Sequence, residues 1–563
     1  MRQQLETTIA AIAQKLYGFA GSVELTRPDG QFGDFASNIA LQLAKPAGKN
    51  PREVAEAIAA ELRVELASQL SEVTIAGPGF INMTLTDEAL RELARQGVVQ
   101  TLAGKKFLVE YSDPNPFKPL HAGHLYTTLI GDMIARLTSV AGAETIRLNY
   151  GGDVGLHVGK SMWAILRNFG GELPEKLADI PEAERPTWLG ARYVEGNNAY
   201  EDDEAAKAEI VAVNKRVYVL HETNDHDSPF AQIYWTCREW SYGYFATLYQ
   251  QLQVVPFDRF IPESEVTPLG LETVRQQLAN GVFQKSGDAV IFNGEQAGLH
   301  TRVFINSEGL PTYEAKDVGL SLTKWRDYQF DTSVIITANE QMQYMQVVLA
   351  SIAQFAPEPS KRTHHLVHGM VKLQGGAKMS SRKGNIVTAL EILEAARQAG
   401  TETGANPSED TILAAVKYAF AKNRIGSDIA YDPKESIALE GNSGPYLQYA
   451  HARARSILTK AEQSTTSGAS KLDASAGLEA DERVLLRKIS EYSEVVDRAV
   501  AELMPHHICT YIYELAQTFN RFYENNLVVG DPRQAIRLAL VEQYADKLKA
   551  GLGLLGISAP DRL

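Results

Sequence analysis

The stretch KFLVEYSDPNPFKPLHAGHLYTTLIGDMIARLTSVAGAETIRLNY, residues 106–150, decides the architecture. KFLVEYS (106–112) is a short, apolar, β-prone run and reads as a buried strand. The run breaks at DPNPFKP, after which LHAGHLYTTLIGDMIARLTSVAG carries apolar residues at helical spacing. ETIRLNY (144–150) then reads as a second strand. Strand, loop, helix and strand in about 45 residues make a βαβ unit, which predicts a parallel α/β sheet. Further strand candidates follow at DAVIFN (288–293), TRVFIN (301–306), SVIITA (333–338) and HHLVHGMVKL (364–373).

Upstream, residues 1–100 alternate amphipathic segments such as REVAEAIAAELRVELASQL (52–70) with β-rich stretches such as VTIAGPGFINMTL (73–85). Gly77-Pro78-Gly79 marks a tight connection there, so the segment reads as an α+β unit. Residues 160–245 form a polar, helix-prone insertion, and beyond about 410 the chain reads as helical to its end. The Ser/Thr/Gly/Ala stretch at 463–477 is a loop within that helical part. The expected domains are 1–102 (α+β), 103–425 (α/β with the insertion) and 426–563 (an all-α bundle). A length of 563 residues suits three or four domains, and 44% hydrophobic with 22% charged residues suits packed cores.

No apolar run reaches the length of a membrane span, and the N-terminus lacks the pattern of a signal peptide, so a cytoplasmic location is expected. Cys237 and Cys509 are far apart and fit neither a disulfide framework nor a zinc site. The net charge of −14 argues, at face value, against a nucleic-acid partner. Its distribution weakens that argument: residues 171–210 hold 11 acidic and 4 basic residues, a net of −7. Residues 361–383 hold six basic residues and no acidic one. Global charge averages over faces that an RNA never meets.

His121-Ala122-Gly123-His124 falls at the strand-to-helix junction, where free backbone N–H groups and the helix dipole favour anions. Two histidines three apart face one side and can donate to a phosphate as charge develops on it. Gly123 lets a nucleotide approach the backbone. Pro116 and Pro119 shape the turn, and Lys118 is adjacent. Alone, such histidines serve as readily as caps. GGAKMSSRKGNIVT (375–388) is a basic, Gly-flanked, Ser-rich loop suited to following charge onto a polyphosphate leaving group.

Together, HAGH and KMSSR resemble the two signatures of the class I aminoacyl-tRNA synthetases, with Ser381 in place of the usual second lysine. LVEYSDPNPFKPLHAGHL is similar to the arginyl-tRNA synthetase form of the first signature, and LPTYEAKDVGL (310–320) to that family's Tyr-x-x-x-Asp element. LEGNSGPYLQYAHARARSIL (439–458) resembles the start of its anticodon-binding helices. RPDGQFGDFASNIALQLAK (27–45) and IAGPGFINMTL (75–85) resemble its extra N-terminal domain, and the last 27 residues its C-terminal helix. The resemblance implies a Rossmann-like catalytic domain between an α+β N-terminal domain and a helical anticodon-binding bundle.

It also implies site residues. His121, Gly123, His124, Lys378, Met379, Ser380 and Ser381 would bind ATP, with His121, His124, Lys118 and Lys378 catalytic and Lys118 compensating for Ser381. Tyr313 and Asp317, four apart and so on one face of a helix, would hold the substrate guanidinium, with Glu263 as a second carboxylate. Glu110, Asn115 and Gln341 would bind the α-amine and carboxylate of arginine. In the bundle, His451, Arg453 and Arg455 are candidates for the RNA backbone. Tyr446, Tyr449, Tyr511, Tyr513, Phe519, Phe522 and Tyr523 divide between base stacking and core, with core expected for most.

The implied activity is that of an arginine–tRNA ligase acting on L-arginine, ATP and tRNA(Arg). The resemblance also implies that bound tRNA is needed before arginine is activated, and Mg²⁺ is expected with ATP although no carboxylate cage for it is evident. A monomer without a resident metal is expected. Two other readings share parts of this pattern: a different nucleotidyl transferase, against which the helical end speaks, and a non-catalytic synthetase-like RNA-binding protein, against which the intact motifs speak.

Overall fold

The computed structural model describes residues 1–374, 387–402, 406–463 and 476–562. Lys378, Met379, Ser380 and Ser381, and most of the 463–477 stretch, lie outside the described residues.

The 106–150 unit folds as its pattern dictates. β1 (Lys106–Glu110), α1 (Ala122–Val140) and β2 (Glu144–Gly151) form the βαβ unit, with Val109 opposite Arg147 in a parallel ladder. α1 is apolar almost all round, and its Leu129, Ile130, Met133, Ile134 and Leu137 are buried. Such a helix belongs in the interior. It fills the space between the sheet and the C-terminal bundle, in one continuous core.

Three more parallel strands complete the sheet: β3 (Arg259–Pro262), β4 (Thr332–Ala338) and β5 (Thr363–His368). Across the sheet the order is β5, β4, β1, β2, β3. The runs at 288–293 and 301–306 do not join it. Ala289–Phe292 and Arg302–Ile305 pair antiparallel, with Gln284–Ser286, in a separate three-stranded sheet. HHLVHGMVKL breaks at Gly369, and Val371–Leu373 pairs instead with Ile429–Tyr431.

The insertion is a helical body with a core of its own. α2 (Leu156–Phe169), α3 (Arg185–Asp202), α4 (Glu204–Glu222) and α5 (Pro229–Gln251) enclose Val158, Met162, Ile210, Val217, Phe230 and Tyr234. After β3 come α6 (Glu263–Ala279) and α7 (Tyr313–Tyr328), and α8 (Met342–Ala353) follows β4.

At the N-terminus a four-stranded antiparallel sheet packs with the helices Arg2–Tyr17, Ile39–Ala47 and Pro51–Glu65. Its hairpin, Leu70–Ala76 with Phe80–Leu85, turns at Gly77-Pro78-Gly79. The same unit docks on the C-terminal helices through ion pairs. Arg483 holds Asp34 (2.6 Å) and Asp87 (2.8 Å), and Glu494 receives Arg2 (2.9 Å) and Arg27 (2.6 Å). Within the bundle the fully buried Glu482 is bound by Arg533 (2.5 Å) and Arg537 (3.1 Å).

Candidate active site

In an open parallel sheet, ligands bind beyond the carboxyl ends of the strands, where the strand order reverses. Here that point lies between β1 and β4. The chain leaves β1 toward α1 and β2, and leaves β4 toward α8 and β5 on the other side. The loop carrying both histidines therefore opens into this crevice.

The loop's backbone is strained. Ser112 (φ 75°), Asp113 (φ 47°) and Phe117 (φ 67°) adopt left-handed conformations that side chains with a Cβ seldom take. Such strain, about 1–3 kcal/mol per residue, persists only where the surroundings over-determine it. The Ser112 hydroxyl bonds Tyr249 (2.8 Å) and Thr128 (2.7 Å), and the buried Phe117 donates its N–H to Ser241 (3.0 Å). Asp113 accepts from the Tyr150 N–H (2.8 Å), and Asn115 from the Gly152 N–H (3.1 Å). Burial, with Glu110 nearby, pushes the Asp113 carboxyl well above the usual range.

The two histidines cap α1 reciprocally. His121 Nδ1 accepts from the N–H groups of Gly123 (3.1 Å) and His124 (3.4 Å), and His124 Nδ1 accepts from the His121 N–H (3.3 Å). A ring nitrogen that accepts from an amide carries no proton, so each proton resides on Nε2. The backbone thereby fixes both tautomers and leaves each Nε2–H as a donor. The rings lie 3.7 Å apart between centroids. Burial, helped by Lys118 and His368, lowers His121 to about 4. Burial and the His121 ring hold His124 well below its ordinary value. Gly123 is required for a reason beyond nucleotide approach, because a Cβ there would stand 2.9 Å from the His121 ring.

The crevice collects buried charge from the other strand ends. Glu110, closing β1, pairs with Lys324 (2.7 Å), and Glu263, opening α6 directly after β3, pairs with Lys316 (2.6 Å). All four are nearly inaccessible. Gly152 brings Asn115 and Glu263 together, since a Cβ there would meet Oδ1 of the one and Oε1 of the other. Tyr313 and Asp317 open α7, with the Tyr344 hydroxyl donating to Asp317. Burial raises Asp317 to about 7, against the pull of the Tyr344 hydrogen bond. Gln341 is exposed at the end of the turn after β4. Lys118 lies over the Tyr193 ring, 4.6 Å from its centroid.

Several residues here escaped the sequence reading. Lys316 and Lys324 are cations in the interior, and Tyr344 holds Asp317. Asp153, fully buried, binds the Ser264 N–H (2.9 Å) and Oγ (2.7 Å) and Arg238 (3.1 Å). Lys316, between Tyr313 and Asp317, carried a positional signal. The others carried none.

Among the RNA candidates, His451 requires correction. It is 1% exposed, with Nδ1 against the Pro560 carbonyl (2.9 Å), so the C-terminal segment covers it. Arg453 lies over the Tyr523 ring (4.7 Å), and Arg455 faces Asp561 (3.3 Å). Tyr511, Phe519 and Phe522 are core, whereas Tyr446, Tyr449, Tyr513 and Tyr523 reach the surface. Among the described residues no group of three or more His, Cys, Asp or Glu side chains could hold a metal ion.

A parallel sheet with a histidine-capped helix at its reversal point and a C-terminal helical bundle has the architecture of a class I aminoacyl-tRNA synthetase. Residues 87–432 match the family described as tRNA synthetases class I (R), catalytic domain. Residues 2–85 match the arginyl tRNA synthetase N terminal domain, and 447–563 the DALR anticodon binding domain. The chain belongs to the arginine-type class I tRNA synthetase family.

An arginine–tRNA ligase of Porphyromonas gingivalis is 29% identical over 601 aligned positions, covering 100% of this chain and 99% of the relative. One of Bdellovibrio bacteriovorus is 30% identical, over 95% and 93%. The solved arginyl-tRNA synthetase of Thermus thermophilus superposes with a TM-score of 0.79 at 26% identity, over 100% of both chains.

Proposed function

We propose the following division of labour for the arginine–tRNA ligase reaction. The carboxylate of L-arginine attacks the α-phosphorus of ATP, and pyrophosphate leaves with the bonding pair. The Nε2–H groups of His121 and His124 donate to the phosphoryl oxygens as charge builds on them. Both rings are neutral across the physiological range, so this donation needs no protonation step. Lys118 and Lys378 hold the leaving pyrophosphate, and Met379, Ser380 and Ser381 belong to the same ATP-binding loop. Mg²⁺ enters bound to the phosphates and water rather than to a protein cage.

The guanidinium takes Asp317, Tyr313 and Glu263, while Glu110, Asn115 and Gln341 serve the α-amine and carboxylate. A carboxyl near 7 gains by receiving a cation, which draws Asp317 to its charged form. In the second step the 2′-hydroxyl of the terminal adenosine of tRNA(Arg) attacks the arginyl carbonyl carbon, and AMP leaves. Arg453 and Arg455 face the tRNA, and the domains divide at 102 and 425. We place the enzyme in the cytoplasm as a monomer.

The observation that carries this reading is the meeting, in one crevice, of two outward imidazole donors and a set of buried carboxylates. ATP–pyrophosphate exchange with each amino acid, with and without tRNA, tests it. Exchange confined to arginine and dependent on tRNA is expected. Exchange with another amino acid, or tRNA binding without any exchange, refutes it and in the latter case favours a non-catalytic RNA-binding protein.

A further inference from the structure

The insertion has a face turned toward the reaction. On α3, Tyr193, Asn197 and Tyr200 recur at i, i+4 and i+7, hence on one side of the helix. Two lysines meet that side, Lys118 from the histidine loop and Lys160 from α2 of the insertion itself. Lys118 Nζ lies 4.6 Å from the Tyr193 ring centroid and Lys160 Nζ 4.2 Å from that of Tyr200. Asn197 Oδ1 accepts from Lys160 at 2.9 Å. The stripe is rigidly mounted. Trp188 stacks on Phe169 (5.6 Å), and a Cβ on Gly196 would fall 2.0 Å from the Lys160 carbonyl, so α3 and α2 touch backbone to backbone. A Cβ on Gly190 would lie 3.6 Å from Pro119, directly beside Lys118.

We infer that Tyr193 is a positioning residue for arginine activation: its ring holds the Lys118 ammonium in the place where pyrophosphate departs, so the acidic insertion is part of the activation machinery. The inference rests on the reading of Lys118 as a pyrophosphate contact. The backbone fixes only where the lysine starts, through left-handed Phe117 before it and Pro119 after it. Its four side-chain torsions remain free. A carboxylate partner would restrain the ammonium but also neutralise it and compete with phosphate. An aromatic face restrains it and leaves the charge available. Among the described residues Lys118 forms no ion pair; Lys160 adds a second positive charge nearby, and the Glu263 carboxylate acts on it only from a distance.

A double-mutant cycle on the full chain with tRNA present tests this, using Y193L, K118M and the pair, with Y193F as the ring-retaining control. In ATP–pyrophosphate exchange Y193L should lower kcat about tenfold, in keeping with the loss of a partly desolvated cation–aromatic contact. KM for arginine should hold, and Y193F should stay within about twofold of wild type. In the K118M background Y193L should cost nothing further. Transfer from pre-formed arginyl-adenylate to tRNA, in which no pyrophosphate leaves, should be unchanged by Y193L.

Equal losses in both backgrounds, a Y193F as slow as Y193L, or a matching loss in the transfer step would overturn the inference. Full activity of K118M with Tyr193 intact would instead remove the reading of Lys118 itself. Should Y193L not fold, Y193M, which keeps length without a ring, carries the same comparison.

Discussion

Acid should weaken the catalytic domain through the histidine caps, by an amount the structure sets. His121 has a folded value of about 4 against an ordinary 6.5. A depressed folded value means that the unfolded chain takes up the proton first. The stability is whole above about 6.5 and is lost as the pH falls toward 4. At pH 5.0 the unfolded imidazole is almost fully charged and the folded one about one-tenth so, a difference of about 2 kcal/mol from His121 alone. His124, shifted the same way, adds to it.

The perturbation that isolates this contribution is His121→Asn, because asparagine caps a helix well without titrating. Urea unfolding followed by tryptophan fluorescence is the assay, since all five tryptophans fall between residues 163 and 325 and report on the catalytic domain. Between pH 7.5 and 5.0 the wild type should lose about 2 kcal/mol more than H121N. H121N should also activate arginine about a hundredfold more slowly, because the shorter amide does not carry a donor to where the imidazole Nε2–H stood. Parallel losses of stability in the two proteins would refute the cap as the titrating element. So would an acid inflection in kcat/KM near 6.5 that vanishes in H121N.

Arginine binding at pH 7 should release about half a proton as Asp317 ionises, read by calorimetry in buffers of different ionisation enthalpy, and affinity should rise with pH through 7. Glu482→Ala removes the buried carboxylate between Arg533 and Arg537, which keep Glu479 and Asp531 as partners, and should cost about 1–3 kcal/mol, seen as lost hydrogen-exchange protection over Gln534–Leu554. Arg483→Ala should loosen the N-terminal unit, speeding exchange over residues 70–95 about tenfold while the tryptophan-detected midpoint holds.

The catalytic sheet was legible because 106–150 switches from strand to helix pattern and back across a proline-bounded turn. The hairpin at 289–305 was harder. Its two runs resemble buried parallel strands in composition, and only the short connection between them, too short for a crossover, marks them as antiparallel. In the insertion the acidic surface masked an apolar interior built by residues such as Met162 and Tyr234.

At the site, residues carried by contiguous motifs were findable. Partners contributed from elsewhere were not: Lys324 and Tyr344 acquire meaning only when α7 and α8 pack beside β1. His451 shows the converse. Helical spacing places it beside Arg453 and Arg455, but nothing local reveals that residues from the far end of the chain, at Pro560, cover it.

The docking of the N-terminal unit on the C-terminal helices has a consequence for synthesis. Asp87 must wait 396 residues for Arg483 to be made. At translation speeds of about 5–20 residues per second the delay is roughly 20–80 s. Through that interval the first unit has folded and its docking surface is open to the cell. Arg2, Arg27, Asp34 and Asp87 give that surface charges that water solvates well. An ionic latch of this kind keeps a half-made chain from associating with its neighbours before its own second half arrives.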